Sequence, residues 1–415
     1  MKMESVTAST TWTIVPDCGG LIDKIAISLP NKVFESENPH AEKILTAIGN
    51  LLGAMPSNVS ILVFTDASNE AAAQDWFKLQ TSCPHEIILA GDVPLQSADI
   101  WTQDSFLVQT RGSDLRLAAP KSDWPNGLLP SLLADHLSVA CNDLPLFLPG
   151  GDQIVGEDFR LIGQTSRLRS AATKYGGDGT LLEADRRISQ LDYRPVCYWG
   201  YRRSDLTRNP SSYWGRERSD NETISASEEK KDLLLSQIVL QSASQLTRIR
   251  PDLVTRIERC ESHVDRYVSP TGLRRNGKNL LLLADPVAVT PEAESKAKRE
   301  KRLLDVSEYW LREQGFEIIR NPVPFATDVK NAIRPRLYNN ILLENAVRDG
   351  NGKPIMWLPC FGEDERFTDY DTENARLWMD LGFEPKQVYG WESLAHANGA
   401  LRCSSKVISR VPGTA

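Results

Sequence analysis

Four short stretches of the chain place polar side chains beside glycine or strand-like sequence. They are Trp101-Thr102-Gln103-Asp104, Pro149-Gly150-Gly151-Asp152, His263-Val264-Asp265 and the segment from Asn398 to Cys403. Together they contain a thiol, a histidine and several carboxylates. Such a set suits attack on a guanidinium group, a planar cation whose paired N–H donors carboxylates such as Asp104 and Asp265 could bind bidentately.

The other groups match the remaining steps of that chemistry. The central carbon of a guanidinium is a poor electrophile and needs a thiolate held nearby. The displaced nitrogen must leave protonated, so a histidine is needed as general acid and afterwards as general base for water. Glycines next to these groups allow the backbone to approach a substrate closely.

Each stretch taken alone also fits a purely structural role. A single cysteine near the end of a chain is commonly a small buried apolar residue. A Gly-Gly-Asp sequence commonly forms a turn. A His-x-Asp pair on a strand, with both side chains on one face, can be a satisfied polar pair. The indication of function therefore comes from the four stretches together and from their order.

In this order the four stretches resemble the guanidino-group-modifying enzyme superfamily with the pentein fold, most closely its peptidylarginine, agmatine and arginine deiminases. Trp101 to Asp104 is similar to the motif that supplies a guanidinium-binding aspartate. His263-Val264-Asp265 is similar to the motif that supplies the general acid/base and a second guanidinium carboxylate. Gly399 to Cys403 is similar to the segment that ends in the nucleophilic cysteine.

The resemblance implies a set of site residues. The expected catalytic residues are Cys403, His263, Asp265 and Asp104, and the expected substrate-binding residues are Trp101, Gly151, Asp152, Asn340 and Arg402. Asn340 enters through Leu337-Tyr338-Asn339-Asn340, which is similar to a Tyr-x-Asn strand that lines such sites. No cofactor is expected, and no His, Cys and carboxylate set has the spacing of a zinc site.

The chain departs from the family pattern at three places. Pro149 stands where many members have a glutamate that orients the catalytic histidine, so Asp152 or Asp265 would have to take that role, unless Asp152 only caps its turn. Arg402 precedes the expected nucleophile where agmatine and peptidylarginine deiminases usually have histidine, which is closer to arginine deiminases. A polar stretch at 201–232 matches no family element and is expected to be a surface insertion or lid.

Three functions remain open at this point. The first is a cofactor-free deiminase that converts an arginine-like guanidinium to a ureido group and ammonia through a covalent thiouronium on Cys403. The second is an amidinotransferase with the same residues, which passes the amidino group to an amine. The third is a non-catalytic pentein that acts as a binding protein, since fold alone does not fix function. The substrate is expected to be a small-molecule or peptidyl guanidine.

The elements that position these residues alternate between strand and helix patterns, which is typical of an α/β or α+β enzyme. The resemblance further implies a pentein-like propeller of pseudo-fivefold αββαβ modules around a central active-site channel, in a single catalytic domain over residues 1–415. The clearest predicted strands are Leu21–Leu29, Val59–Thr65, Glu86–Ala90, Gln153–Val155, Leu280–Ala284 and Ile355–Pro359, and the clearest predicted helices are Pro39–Leu52, Ala71–Leu79, Arg299–Gln314 and Thr372–Leu381.

Composition excludes several classes of protein. The 415 residues are 41% hydrophobic and 25% charged, as in a globular protein, with a net charge of −7 that argues against a nucleic-acid partner. No run approaches the roughly 18 apolar residues of a membrane span, and no secretory signal is visible. The seven cysteines are scattered without a C-x-x-C pair, so reduced thiols in the cytosol are expected. The oligomeric state stays open.

Overall fold

The computed structural model describes residues 11–35, 37–38, 40–121, 127–199, 263–327, 332–348 and 352–413. These residues form a mixed α/β fold of small sheets and helices. The predicted insertion at 201–232 lies outside the described residues.

The described strands and helices follow one another closely along the chain. The strands are β1 Thr13–Ile14, β2 Leu21–Leu29, β3 Ser60–Asp66, β4 His85–Ala90, β5 Leu107–Arg111, β6 Asp114–Lys121, β7 Ala140–Phe147, β8 Gln153–Val155, β9 Arg160–Gly163, β10 Val196–Trp199, β11 Val268–Arg275, β12 Lys278–Ala288, β13 Phe316–Thr327, β14 Ile333–Pro335, β15 Leu342–Leu343, β16 Ile355–Pro359, β17 Glu384–Val388 and β18 Ser405–Val411. The α-helices are α1 Ala41–Ala54, α2 Glu70–Gln80, α3 Thr102–Ser105, α4 Leu128–Leu137, α5 Gln164–Ala171, α6 Leu181–Ser189, α7 Glu294–Glu313, α8 Thr368–Asp380 and α9 Glu392–His396.

Within the described residues these strands form five separate sheets. Their strand orders are β1-β5-β6-β7, β10-β9-β8, β11-β12-β13-β14, β15-β16-β17 and β18-β2-β3-β4. None of these sheets closes on itself, so the propeller expected from the resemblance is not established by strand pairing.

All five sheets contain the same local unit. A parallel pair of strands is joined through at least one helix, as a parallel connection requires, and the first strand of the pair has an antiparallel neighbour. The parallel pairs are β6 with β7, β9 with β10, β12 with β13, β16 with β17, and β2 with β3. The antiparallel neighbours are β5, β8, β11, β15 and β18.

The sheet nearest both ends of the described chain shows why these segments form strands. Seven of the nine residues of β2 are buried, as are the last six of β3, as expected for strands that are covered on both faces. β18, which follows Cys403, pairs with β2, with Ser405 opposite Ile27. The residues just before β18 are therefore anchored to the start of the chain.

The predicted strands and helices are found, most of them with ends shifted by a few residues. Leu21–Leu29, Gln153–Val155 and Ile355–Pro359 have the predicted bounds. The largest hydrophobic cluster draws on nearly the whole described chain, from Cys18 to Val407. None of the described helices has the length and apolar character needed to cross a bilayer.

Two expectations about local structure were wrong. His263 and Asp265 do not lie on a strand: Val264–Arg266 is a 3₁₀ turn, closed by hydrogen bonds to the carbonyls of His263 and Val264, and the strand β11 begins only at Val268. Residues 337–340 also form a turn rather than a Tyr-x-Asn strand, because Asn340 N donates to Leu337 O at 3.0 Å. In both places short-range backbone bonds replace a sheet ladder.

Candidate active site

The four stretches that carry the predicted site residues meet in space. Gln103 in α3 links two of the others to its own stretch, since its backbone N donates to Cys403 O at 3.2 Å and its side chain donates to Gly150 O at 3.2 Å. Gly151 N donates to Asp104 Oδ1 at 2.6 Å. Hydrogen bonds to backbone groups therefore hold together segments that are up to 300 residues apart in sequence.

Gly151 lies between three of the four predicted catalytic groups. A Cβ atom at this position would lie 2.6 Å from His263 Nδ1, 2.9 Å from Asp104 Oδ1 and 3.2 Å from Asp265 Oδ2. Contacts this short mean that a side chain here would displace at least one of these groups, so glycine allows the three to approach one another closely. The physical reason for the Gly-Gly-Asp sequence is thus close approach at the site.

The Cys403 thiol is held by Asn340. The side-chain amide of Asn340 donates to Cys403 Sγ at 3.1 Å, and its oxygen accepts from Cys403 N at 3.0 Å. Sγ also lies 3.5 Å from Asp265 Oδ2. Asn340 thus acts through the thiol, and its amide would stabilise a thiolate more than a thiol because a hydrogen bond to a charged acceptor is stronger.

Each of the two predicted guanidinium carboxylates has one oxygen committed to the protein. Asp104 uses Oδ1 for Gly151 N, while its Oδ2 lies 3.8 Å from His263 Nδ1. Asp265 uses Oδ2 for Arg402 Nη1 at 2.7 Å, while its buried Oδ1 has no partner among the described residues. The bidentate grip expected of each carboxylate is therefore replaced by one available oxygen from each.

The site without substrate favours a protonated thiol. Burial, followed by the negative charges of Asp265 and Asp104, raises the pKa of Cys403 well above its usual value. Burial likewise raises the pKa of Asp265, although the Arg402 guanidinium opposes that rise. A cation that entered between the two carboxylates would offset both effects.

His263 is placed to hold a proton. Its side chain is 34% exposed, beside the carboxylate of Asp104. Burial acts to lower the pKa of His263, but the carboxylates of Asp104, Asp152 and Asp265 outweigh it and raise the pKa above its usual value. An imidazolium of this kind can donate a proton to a leaving amine.

Asp152 points toward α5 as well as toward the site. Ser166 Oγ donates to Asp152 Oδ2 at 2.5 Å, and a Cβ on Gly163 would clash with the same carboxylate. Burial raises the pKa of Asp152 to about 6, and the nearby His263 opposes that rise. Among described carboxylates Asp104, rather than Asp152, lies within 4 Å of a His263 ring nitrogen. Asp104 is thus the nearer candidate for the role left open by Pro149.

Arg402 was expected to bind substrate, but its donors are used within the protein. Nε and Nη2 donate to Asp17 Oδ1 at 3.1 and 2.8 Å, and Nη1 donates to Asp265 Oδ2 at 2.7 Å. The carbonyls of Gly150 and Gln153 accept from the remaining N–H groups. In this geometry the N–H groups of Arg402 are all engaged within the protein, so Arg402 does not contact a substrate directly.

Asp17 is the site residue that the sequence did not reveal. It lies outside the span of the four motifs, and nothing in its local sequence marks it. The only available signal was indirect, because a buried arginine beside the nucleophile requires carboxylate partners.

The Trp101 ring packs against the segment that ends in Cys403. A Cβ on Gly399 would lie 2.1 Å from the Trp101 ring, so glycine is required for this contact.

Across the part of the chain that the structure describes, no group of three or more His, Cys, Asp or Glu residues is arranged to hold a metal ion.

No protein-family model matches the chain, and no curated protein matches it by sequence. Solved structures do match it. The agmatine deiminase of C. jejuni is similar with a TM-score of 0.60 at 12% identity, over 100% of both chains. The agmatine deiminase of Enterococcus faecalis is similar with a TM-score of 0.57 at 11% identity, over 99% of this chain and 100% of that one. A putative arginine deiminase from Porphyromonas gingivalis has a TM-score of 0.57 at 11% identity, over 95% and 98%. At such identities the similarity shows the fold.

Proposed function

We propose that this chain, which has the fold of the agmatine and arginine deiminases, is a guanidine deiminase. It would hydrolyse a C–N bond of an arginine-like guanidinium, and so form a ureido product and ammonia. The similarity to solved deiminases supports a hydrolase of this class at the level of the fold. The finer assignment depends on the site itself.

The observation that carries the proposal is the convergence of four chemical groups from segments far apart in the chain. The imidazole of His263 and the carboxylates of Asp104 and Asp265 surround Gly151, and the thiol of Cys403 lies 3.5 Å from Asp265 Oδ2. A structural polar cluster would have its carboxylate oxygens satisfied. Here one buried oxygen of Asp265 has no partner among described residues and is available to accept from a cationic substrate.

The two available carboxylate oxygens suit a guanidinium bound between them. Asp104 Oδ2 and Asp265 Oδ1 would each accept from one N–H group of the substrate, in charge-assisted hydrogen bonds. The substrate cation would then offset the negative charges that raise the pKa of Cys403. Binding of the substrate therefore favours the thiolate that must attack it.

The reaction follows from these positions. When the substrate cation binds, the Cys403 thiol loses its proton to solvent. The thiolate adds to the guanidinium carbon, and the imidazolium of His263 gives its proton to the nitrogen that leaves as ammonia. The resulting S-alkylthiouronium keeps the rest of the substrate on Cys403. His263 then takes a proton from water, and the hydroxide adds to the same carbon. Expulsion of the thiolate, with loss of the remaining hydroxyl proton to solvent, releases the ureido product.

We also propose the pentein arrangement for the whole fold, a pseudo-fivefold propeller around the site. It is supported by the unit that the five described sheets share, in which a parallel pair of strands joined through a helix has one antiparallel neighbour.

We also propose a cytosolic location, because the six described cysteines are free thiols, as is usual in a reducing compartment.

The direct test is ammonia release over a panel of guanidines that includes arginine, agmatine and an arginine-containing peptide. We expect turnover of at least one member, and its loss by several orders of magnitude, roughly 10³-fold or more, in Cys403→Ala. Cys360→Ala is the matched control, since Cys360 is also buried but lies outside the site. A new guanidino product from an added amine would indicate amidino transfer, and no turnover of any guanidine would indicate a binding protein.

A further inference from the structure

Arg402 places an internal guanidinium directly beside the carboxylate proposed to hold the substrate guanidinium. Its Nη1 donates to Asp265 Oδ2 at 2.7 Å, and both side chains are buried. The site thus contains one permanent guanidinium and has to admit a second. Both cations would share the carboxylate of Asp265.

In this arrangement Arg402 could pair with Asp265 in the position that the substrate guanidinium needs. The planar fork of arginine matches both oxygens of a carboxylate, and bidentate pairing is its preferred geometry. In a buried site nothing from water competes with such a pair. Arg402 in that geometry would also take Asp265 Oδ1, the oxygen left for the substrate. In the structure it does not do so, because only Nη1 contacts Asp265 and only through Oδ2.

Asp17 holds the rest of the Arg402 guanidinium. Its Oδ1 accepts from Nε at 3.1 Å and from Nη2 at 2.8 Å, so one edge of the fork is taken by Asp17. The carbonyl of Gln153 accepts a further N–H of Nη2 at 2.9 Å. With these donors fixed, the guanidinium cannot turn its fork toward Asp265.

Asp17 is itself rigidly mounted. Its Oδ2 accepts from the backbone N of Val155 at 2.7 Å, and its own backbone N donates to Val155 O at 2.7 Å. Val155 ends β8, the strand that begins one residue after Asp152. The strand that follows Asp152 therefore also fixes the position of Asp17. Both oxygens of the Asp17 carboxylate accept hydrogen bonds, Oδ1 from Arg402 and Oδ2 from Val155 N.

We propose that Asp17 is a positioning residue that keeps the Arg402 guanidinium from closing on Asp265, so that Asp265 Oδ1 stays available to the substrate guanidinium. Asp17 touches no substrate and acts only through Arg402. The carboxylates of Asp17 and Asp265 share the single positive charge of Arg402, so Asp265 keeps part of its negative charge for the substrate. This inference rests on the proposed deiminase function.

The test is Asp17→Asn in the full chain, which keeps the shape of the side chain and removes its charge. Arg402 should then pair fully with Asp265, so KM for the guanidine substrate should rise about tenfold or more while kcat changes less. The inhibition constant of the guanidinium ion, used as a competitive probe, should rise in parallel. Asp23→Asn is the matched control, because Asp23 accepts from Ser409 Oγ at 2.7 Å outside the site and should leave both constants unchanged.

A double-variant cycle separates this role from general damage. In an Arg402→Met background no guanidinium competes for Asp265, so adding Asp17→Asn should change KM by less than about twofold. Thermal melting confirms that each variant is folded, and Arg402→Lys replaces Arg402→Met if the latter is not, since lysine has no fork. An equal rise of KM in both backgrounds, or an unchanged KM in Asp17→Asn alone, overturns the proposal.

Failure of the deiminase function would be visible separately. Wild-type protein that releases no ammonia from any guanidine contradicts the function and not the role of Asp17. In that event, calorimetric binding of the guanidinium ion to wild type and to Asp17→Asn decides. We expect about tenfold weaker binding in the variant, and equal binding overturns the role assigned to Asp17.

Discussion

At the scale of single residues, the proposed catalysis depends on how closely Gly151 lets three charged groups approach. Gly151→Ala would put a methyl group 2.6 Å from His263 Nδ1 and 2.9 Å from Asp104 Oδ1, and one or both must move. Since a displacement of about 1 Å can cost about 100-fold, we expect kcat/KM to fall at least that far. Steady-state kinetics measure the effect. Gly127→Ala, where a Cβ meets nothing within 4 Å, is the control and should keep full activity.

Asp152 gives a second prediction at this scale, for activity. Its negative charge helps to raise the pKa of His263. Asp152→Asn removes that charge, so the imidazolium should lose its proton at lower pH. We expect kcat to fall about tenfold, or about 1.4 kcal/mol of transition-state stabilisation, with the basic limb of the pH profile moved to lower pH. Full kcat with an unmoved limb would leave Asp152 as no more than a cap for α5.

The same residue predicts a pH effect on stability. The pKa of Asp152 is raised from 3.8 to about 6 on folding, so the folded state binds this proton more tightly. Its contribution to the free energy of unfolding is complete below pH 3.8 and is lost as pH rises through about 6. Denaturant unfolding at several pH values should show a smaller loss across this window in Asp152→Asn than in wild type. Parallel curves would contradict the raised pKa.

Which residues meet in the candidate site could largely be predicted from the sequence, because the motifs hold these residues at short fixed spacings. The geometry brings Asp104, His263, Asp265 and Cys403 together. The use of each carboxylate could not be predicted, because it depends on which backbone N–H or guanidinium reaches which oxygen. Asp17 is the extreme case, since its contact with Arg402 spans 385 residues and has no local signature.

At the scale of elements, turns and the short helix α3, rather than strands, hold the reactive groups. The strands were predictable where continuous apolar runs identify them, as Leu280–Ala284 does in β12. The turns that carry His263 and Asn340 were mistaken for strands, because a polar stretch of four residues has no period that separates a turn from a strand. Turn geometry is set here by contacts that close it, such as Asn340 with Cys403.

The turn at residues 337–340 carries a prediction of its own. Asn340→Ala removes the donor to Cys403 Sγ and the acceptor of Cys403 N. Because a hydrogen bond to a charged group is worth about 1.5–3 kcal/mol, alkylation of Cys403 by iodoacetamide at fixed pH should slow roughly tenfold or more. Asn339→Ala is the control, since the Asn339 amide bonds to Asn321 instead. It should lower the melting temperature and leave the alkylation rate unchanged. Equal slowing in both variants would show that the site is loosened generally, and it would contradict a specific effect of the bond from Asn340 to Cys403.

At the scale of the whole molecule, the net charge of the protein and the charge of the proposed substrate have opposite signs. The net charge of −7 attracts a guanidinium cation over distances that salt screens. For a cationic substrate, kcat/KM should therefore fall roughly two- to threefold between about 10 and 150 mM salt, with kcat nearly constant. Initial rates at low substrate measure this fall. A kcat/KM that rises with salt would contradict attraction of a cation.

The central claim is that water, through Cys403, replaces one nitrogen of a guanidinium. The most direct measurement is turnover of the best guanidine of the panel in water enriched in the heavy oxygen isotope, with mass spectrometry of the product and parallel determination of ammonia. We expect one heavy oxygen in each ureido product and one ammonia per product, and we expect neither ureido product nor ammonia from Cys403→Ala. A product without heavy oxygen, ammonia in another ratio, or full turnover by Cys403→Ala would contradict the central claim.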